Sequence, residues 1–187
     1  MISAPARSRL RQIPRALARA IHHDNRLVVS VNPWKMRVHM SANQTLTAGV
    51  TATMALDTVD FDSANGFSTS ANSYTVPVSG WYAIFCKASF TLGANLLNAS
   101  VSASLLANGV GWQGGTTFTL AGAFTALADG QLLSGSYDAQ VNDQRHFNAG
   151  DVITVQVLQN NNAGSSQTLQ GGASVDSSYL SMHLISA

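Results

Sequence analysis

From Val38 onward, apolar side chains recur at every second position in short segments. Val38 and Met40 alternate with polar neighbours, as do Tyr74, Val76 and Val78, and Ile153, Val155 and Val157 alternate with Thr154 and Gln156. Turn-forming residues separate these segments at Asn65-Gly66, Asn108-Gly109, Gly114-Gly115, Asp129-Gly130, Asn148-Ala149-Gly150 and Gly171-Gly172. A period of two sends successive side chains to opposite faces of an extended strand, so each segment offers one face to a core and one to solvent. Short strands separated by frequent turns predict an all-β fold, an antiparallel jelly-roll sandwich. Composition closes the helical alternative. The nine acids are all Asp, Glu is absent, and Lys occurs only at Lys35 and Lys87, which removes two of the best surface helix formers.

Charge divides the 187 residues unevenly. Residues 1–37 carry eight Lys/Arg and one Asp, whereas residues 38–187 carry two Lys/Arg and eight Asp. The chain breaks near Asn32-Pro33-Trp34, where Pro33 disfavours helix at Asn32, and it is expected to comprise a basic N-terminal extension, 1–37, and a sandwich, 38–187. In the extension Leu10, Ile13, Leu17 and Ile21 recur at spacings of three and four among Arg7, Arg9, Arg11, Arg15 and Arg19. Pro14 suits the first position of a short helix, so the arm is read as extended or partly helical. These nine residues are the expected anchor on an acidic protein partner. A flexible tail and a mitochondrial-type presequence are the other readings of the same composition.

The segment Trp81 to Phe90 is apolar on both faces at its start. One face carries Tyr82, Ile84, Cys86, Ala88 and Phe90, and the other carries Trp81, Ala83 and Phe85 before Lys87. A half-covered antiparallel strand is polar on one side, so the second face must meet something else. The C-terminal strand repeats the signature, with Tyr179 and His183 on one face and Leu180, Met182 and Leu184 on the other. Trp81, Phe85, Tyr179 and His183 are the expected subunit interface. Leaving Trp81 and Phe85 in water would forgo several kcal/mol at ~25 cal/mol per Å².

The segment Phe67 to Phe90, with Tyr74-Thr75-Val76-Pro77-Val78-Ser79-Gly80-Trp81-Tyr82-Ala83-Ile84 at its centre, resembles the complement component 1q and tumour-necrosis-factor superfamily of trimeric jelly rolls. In that pattern Pro77 fits a strand edge or bulge, Gly80 a tight bend, and Tyr82 and Ile84 the interior. Phe61-Asp62, Asn65-Gly66, Gly150-Asp151-Val152-Ile153-Thr154-Val155 and the terminal strand Ser178 to Ile185 extend the match over residues 38–187. Ser181 stands where the family usually has glycine, and His183 where an apolar residue is common. The resemblance implies a homotrimer in which the first and last strands lie side by side in the sheet facing the threefold axis. No collagen-like stalk or signal peptide precedes the domain, which points away from secreted animal members. Free-standing domains of this type with a short leader look like bacteriophage tail-fibre tips, baseplate or tail-tip subunits and head decorations.

Signals for chemistry are weak. Asp57, Asp60 and Asp62 are oxygen ligands of the kind Ca²⁺ takes, yet their spacing matches no helix-loop-helix calcium loop and Asp in turns usually caps its own backbone. His22-His23, His39, His146 and His183 have no zinc spacing, so no metal and no cofactor is expected. There is no Gly-x-Ser-x-Gly, and the single Cys86 falls in a core strand. The arm's arginines would neutralise phosphates, but the acidic domain and the lack of aromatics over residues 1–33 argue against nucleic acid. No apolar run approaches the ~20 residues that cross a bilayer, so no membrane partner is expected.

Together these features predict a non-enzymatic phage virion protein, held in the particle by its arm and displaying a trimeric jelly roll for binding a host surface glycan or protein. The expected receptor-facing residues are Asn108, Trp112 and Gln113 in a loop over residues 107–117, and Asn160, Asn161 and Asn162 in a loop over 159–174. The competing reading is a purely structural decoration, baseplate or tail-tip subunit without a host ligand. A carbohydrate-active enzyme on the same scaffold is the third.

Overall fold

The computed structural model describes residues 34–91, 96–97, 100–114, 118–119, 123–124, 136–160, 164, 166–172 and 177–187. A compact unit runs from Trp34 to Ala187. It starts earlier than the expected residue 38 because Lys35, Met36 and Arg37 already form the first strand, and the Trp34 carbonyl accepts from Leu184 N at 2.7 Å. The arm residues from Arg7 to Ile21 lie outside the described residues.

In chain order the strands are β1 Lys35–His39, β2 Gln44–Leu46, β3 Ala52–Thr53, β4 Thr58–Asp62, β5 Phe67–Ser68 and β6 Ser73–Thr75. There follow β7 Gly80–Thr91, β8 Leu96–Leu97, β9 Ser100–Ala107, β10 Val110–Gly114, β11 Phe118–Thr119 and β12 Ala123–Phe124. The last four are β13 Ser136–Phe147, β14 Val152–Asn160, β15 Gln167–Leu169 and β16 Tyr179–Ser186. No helix occurs among the described residues.

These strands form two antiparallel sheets packed face to face, with β8 and β12 paired separately. In the first sheet β7 is the central strand. One edge of it pairs along its whole length with β13, from Gly80↔Phe147 to Thr91↔Ser136. The other edge is divided: β16 covers Trp81 to Lys87, and β15 covers Phe90 and Thr91. β1 then pairs with β16 in the register Met36↔Met182 and Val38↔Leu180, and β4 lies outside β1. The first and last strands are therefore neighbours, as the resemblance implied. In the second sheet β14 sits between β9 and the short strands β6 and β3.

Period two explains the core. Met36, Val38, Tyr82, Ile84, Cys86, Ala88, Phe90, Leu180 and Met182 come from alternate positions of the first sheet, while Val101, Ala103, Leu105, Ile153, Val155 and Val157 come from the second. Removing each larger aliphatic or aromatic side chain from water contributes about 1.5–3 kcal/mol. Where β16 gives way to β15 along β7, the interior turns polar. Ser89 N donates to Ser178 Oγ at 3.0 Å, and Gln170 N and Ser178 N close the gap through the Ser89 and Gln170 carbonyls. Buried backbone groups at the junction are thereby paired.

Three expectations need correction here. Residues 107–117 are not one loop: only Asn108-Gly109 form a two-residue turn, with φ of 52° and 79°, and β10 follows at once, bulged between Gly111 and Gln113. The bulge interrupts the alternation that would have marked a strand. Residues 159–174 likewise include the end of β14 and all of β15. Gly80, read as a bend, opens β7 instead; a side chain there would strike the Ser186 carbonyl and the Leu184 side chain.

Candidate functional site

Tyr82, Ile84, Cys86 and Phe90 face the core, so the intervening residues of β7 emerge from the opposite face of the sheet. Trp81 is 51% exposed and Phe85 42%, whereas Tyr82 between them is fully buried. The ladders bring further rings to this face. Trp81 meets the edge of the His146 ring at 5.9 Å between centroids, because His146 is its direct partner on β13. Phe85 stacks on His183 of β16 at 6.1 Å and 13° between planes. Beside them Arg37 of β1 lies over the Tyr179 ring at 4.6 Å, and Lys35 lies over Phe61 at 5.8 Å. Both are cation–π contacts of the kind that keep a cation over an aromatic surface.

The four residues expected at the interface, Trp81, Phe85, Tyr179 and His183, thus share one face. They are joined by Arg37, Phe61 and His146, none of which was expected at the interface. Arg37 and Lys35 were accessible from the alternation of Met36 and Val38. His146 was not, because β13 places Asp143 and Arg145 in register with Ile84 and Tyr82, where an alternating strand would be apolar.

The acidic groups here are engaged locally. Asp60 lies 2.9 Å from His39 Nδ1 and 3.3 Å from Arg37 Nε, and Asp138 pairs with Lys87 Nζ at 3.7 Å. Small side chains at Ala83 and Ser181 leave low ground next to Phe85. A depression of about 250 Å³ opens there, lined by Ala83, Phe85, Asn142, Asp143 and Gln144. Flat aromatic ground with a notch suits shape-complementary contact with another protein surface.

The carboxylates weighed as cation ligands go separate ways. Asp57 accepts from Ser41 N and Ser41 Oγ at 2.7 and 2.6 Å, Asp60 takes Arg37 and His39, and Asp62 accepts from Ala64 N and Phe67 N at 3.0 and 2.8 Å. Among the described residues no three His, Cys, Asp or Glu come together as a metal-binding group. Cys86 is buried, and burial pushes its thiol up to about 12, so it carries no thiolate at neutral pH.

The expected receptor residues disperse. Asn108 sits in the β9–β10 turn with its carboxamide engaged by Asp151 and Val152. Asn160 is exposed at the far end of β14, opposite Ser100. Strand β14 begins at Val152, bonded to Asn108, so the two asparagines lie about 25 Å apart along one strand. Trp112 and Gln113 lie on β10 at its bulge, and Asn161 and Asn162 lie outside the described residues.

No family model matches the chain, and no curated protein matches it in sequence. Solved structures do. The chain is similar to the structure of Eiger TNF from S. frugiperda, with a TM-score of 0.50 over 82% of this chain and 94% of that one. The fold is a tumour-necrosis-factor-like jelly roll. Sequence identity is 13%, so the likeness concerns the fold alone.

Proposed function

We propose that the chain is a non-enzymatic structural protein of a bacteriophage particle, whose jelly roll assembles as a homotrimer and whose basic arm holds it on the virion. The observation that carries the reading is the exposed aromatic face built by Trp81, Phe85, Tyr179 and His183. A free aromatic side chain presents roughly 150–250 Å², so covering the exposed half of Trp81 or Phe85 is worth about 2–3 kcal/mol per ring. Three copies meeting head to tail around one axis cover this face in every subunit at once, and the closed ring leaves no sticky remainder. The arm adds the anchoring element. Six arginines against one Asp over residues 1–33 stand beside a sandwich with four Lys/Arg against eight Asp, so the arm is drawn to acidic protein surfaces.

Of the two virion roles, the positions of Asn108 and Asn160 favour a decoration, baseplate or tail-tip subunit over a receptor-binding tip. They lie at opposite ends of β14, and Asn108 uses its amide to hold its own fold. The anchoring role is tested by deleting residues 1–30. The truncated protein should fold and fail to enter particles; normal incorporation would contradict the reading. Adsorption of the domain to host cells separates the two roles, with binding expected only for a receptor-binding tip.

A further inference from the structure

We propose that the notch beside Phe85 is an ammonium-binding site completed by a sister subunit, whose Lys35 enters it; this rests on the trimeric reading above. The notch has the chemistry of a cation site. Asp143 brings a carboxylate, Asn142 and Gln144 bring carboxamides, Phe85 an aromatic ring, and Ala83 a side chain too short to fill the space. Carboxylate and carboxamide oxygens accept from an ammonium, and the ring face attracts its charge. One Asp143 oxygen accepts from Gln144 N at 2.8 Å, and a carboxylate accepts at about four positions, so that bond does not exhaust it.

Lys35 stands at the other end of the same row of the sheet. The ladders run Lys35↔His183, His183↔Ala83 and Ala83↔Gln144, strand by strand at about 4.8 Å each and about 14 Å in all, too far for an ion pair between Lys35 and Asp143 of one chain. Lys35 is exposed, its ammonium lies over the Phe61 ring at 5.8 Å, and among the described residues no carboxylate is in ion-pair reach of it. The other described cations are placed differently. Arg37 lies 3.3 Å from Asp60, Lys87 pairs with Asp138, and Arg145 lies in the field of Asp151. A lysine covered by a neighbour without an acceptor would oppose assembly, so Lys35 needs one on the covering subunit. Head-to-tail contact joins unlike patches and brings the β1 side of one subunit to the β13 side of the next. Each subunit then gives one ammonium and receives one.

Charge reversal on the full chain reads the pair, with light scattering for association and circular dichroism for the fold. K35E and D143K should each weaken the trimer by about tenfold or more, because like charges then meet. K35E/D143K restores opposite charges and should associate within about threefold of the wild type. A carbodiimide supplies a second reading on the wild type, whatever the folding of the variants. It joins the Lys35 amine to the Asp143 carboxyl as an amide, itself taking up the water lost and leaving as a urea. The peptide carrying that link is expected in the cross-linked dimer and trimer bands. Wild-type association in a folded K35E or D143K, a folded double variant no tighter than the single ones, or a wild-type trimer that yields no Lys35–Asp143 peptide overturns the inference and leaves the trimer standing. A monomeric wild type overturns the trimeric reading itself.

Discussion

Asn108 and Asp151 lock two turns together. Asn108 Nδ2 donates to Asp151 Oδ1 at 2.8 Å, while Asn108 Oδ1 accepts from Val152 N at 2.8 Å and Asp151 Oδ2 accepts from Asn148 N at 2.8 Å. The β9–β10 turn is thereby bonded to the turn over residues 148–150, so one end of the sandwich is closed by side chains as well as by ladders. Asparagine is suited to this place twice over, since it tolerates the left-handed φ of 52° and supplies both a donor and an acceptor. Asn108→Ala removes both bonds and leaves a β-carbon at positive φ, and it should lower stability by about 1–2 kcal/mol in urea unfolding. An unchanged midpoint would mean that the clamp contributes nothing in solution.

The same clamp sets an acid dependence. The side-chain hydrogen bond from Asn108, and after it the backbone bond from Asn148, hold the Asp151 carboxyl below its ordinary value. At Asp57 burial alone would raise the value, but the side-chain and backbone donors of Ser41 outweigh it and the net shift is downward. Both groups have lowered values in the folded chain, so their stabilisation is complete above the ordinary carboxylate value of ~3.9 and is lost as the pH falls through the lowered values. Asp151→Asn should therefore be less stable than wild type at neutral pH and lose less stability on acidification below about pH 4. Parallel acid profiles for the two proteins would refute the assignment.

At the start of β7 one stretch of backbone closely approaches another. Gly80 begins β7 against the end of β16, where a β-carbon would meet the Ser186 carbonyl and come within 2.7 Å of Leu184 Cδ1. Because one obstacle is main chain, the strands must separate to admit Gly80→Ala, which should cost about 2 kcal/mol or more. Tyr82→Phe, which removes only the hydroxyl bond to the Val78 carbonyl at 2.8 Å, should cost about 1 kcal/mol. Thermal melts of the two variants are expected in that order, and the reverse order would show that the strand start yields easily.

Legibility in the sequence followed the regularity of each strand. β7 and β16 were readable because Tyr82, Ile84, Cys86 and Phe90, and Leu180 and Met182, keep strict alternation from end to end, and all are buried. β14 was readable through Ile153, Val155 and Val157. The β9–β10 turn was visible as Asn108-Gly109, but β10 was not, since two glycines and a bulge erase its period. β13 escaped notice because it is held at one edge by β7 and places Asp143 and Arg145 where apolar residues would have revealed it. The exposed face could be inferred from Trp81 and Phe85 alone. The pairing of Phe85 with His183 and of Trp81 with His146 depends on ladder register, which hydrophobic alternation fixes only once the neighbouring strands are known.

The central claim is that the face carrying Trp81 and Phe85 is covered by sister subunits. Light scattering coupled to size exclusion, on the full chain at neutral pH and micromolar concentration, tests it most directly. The account predicts a mass near three chains of 19.6 kDa for the wild type, and near one chain for Trp81→Asp and Phe85→Asp with the β-sheet spectrum preserved. A wild-type protein that is a stable monomer under these conditions would contradict it.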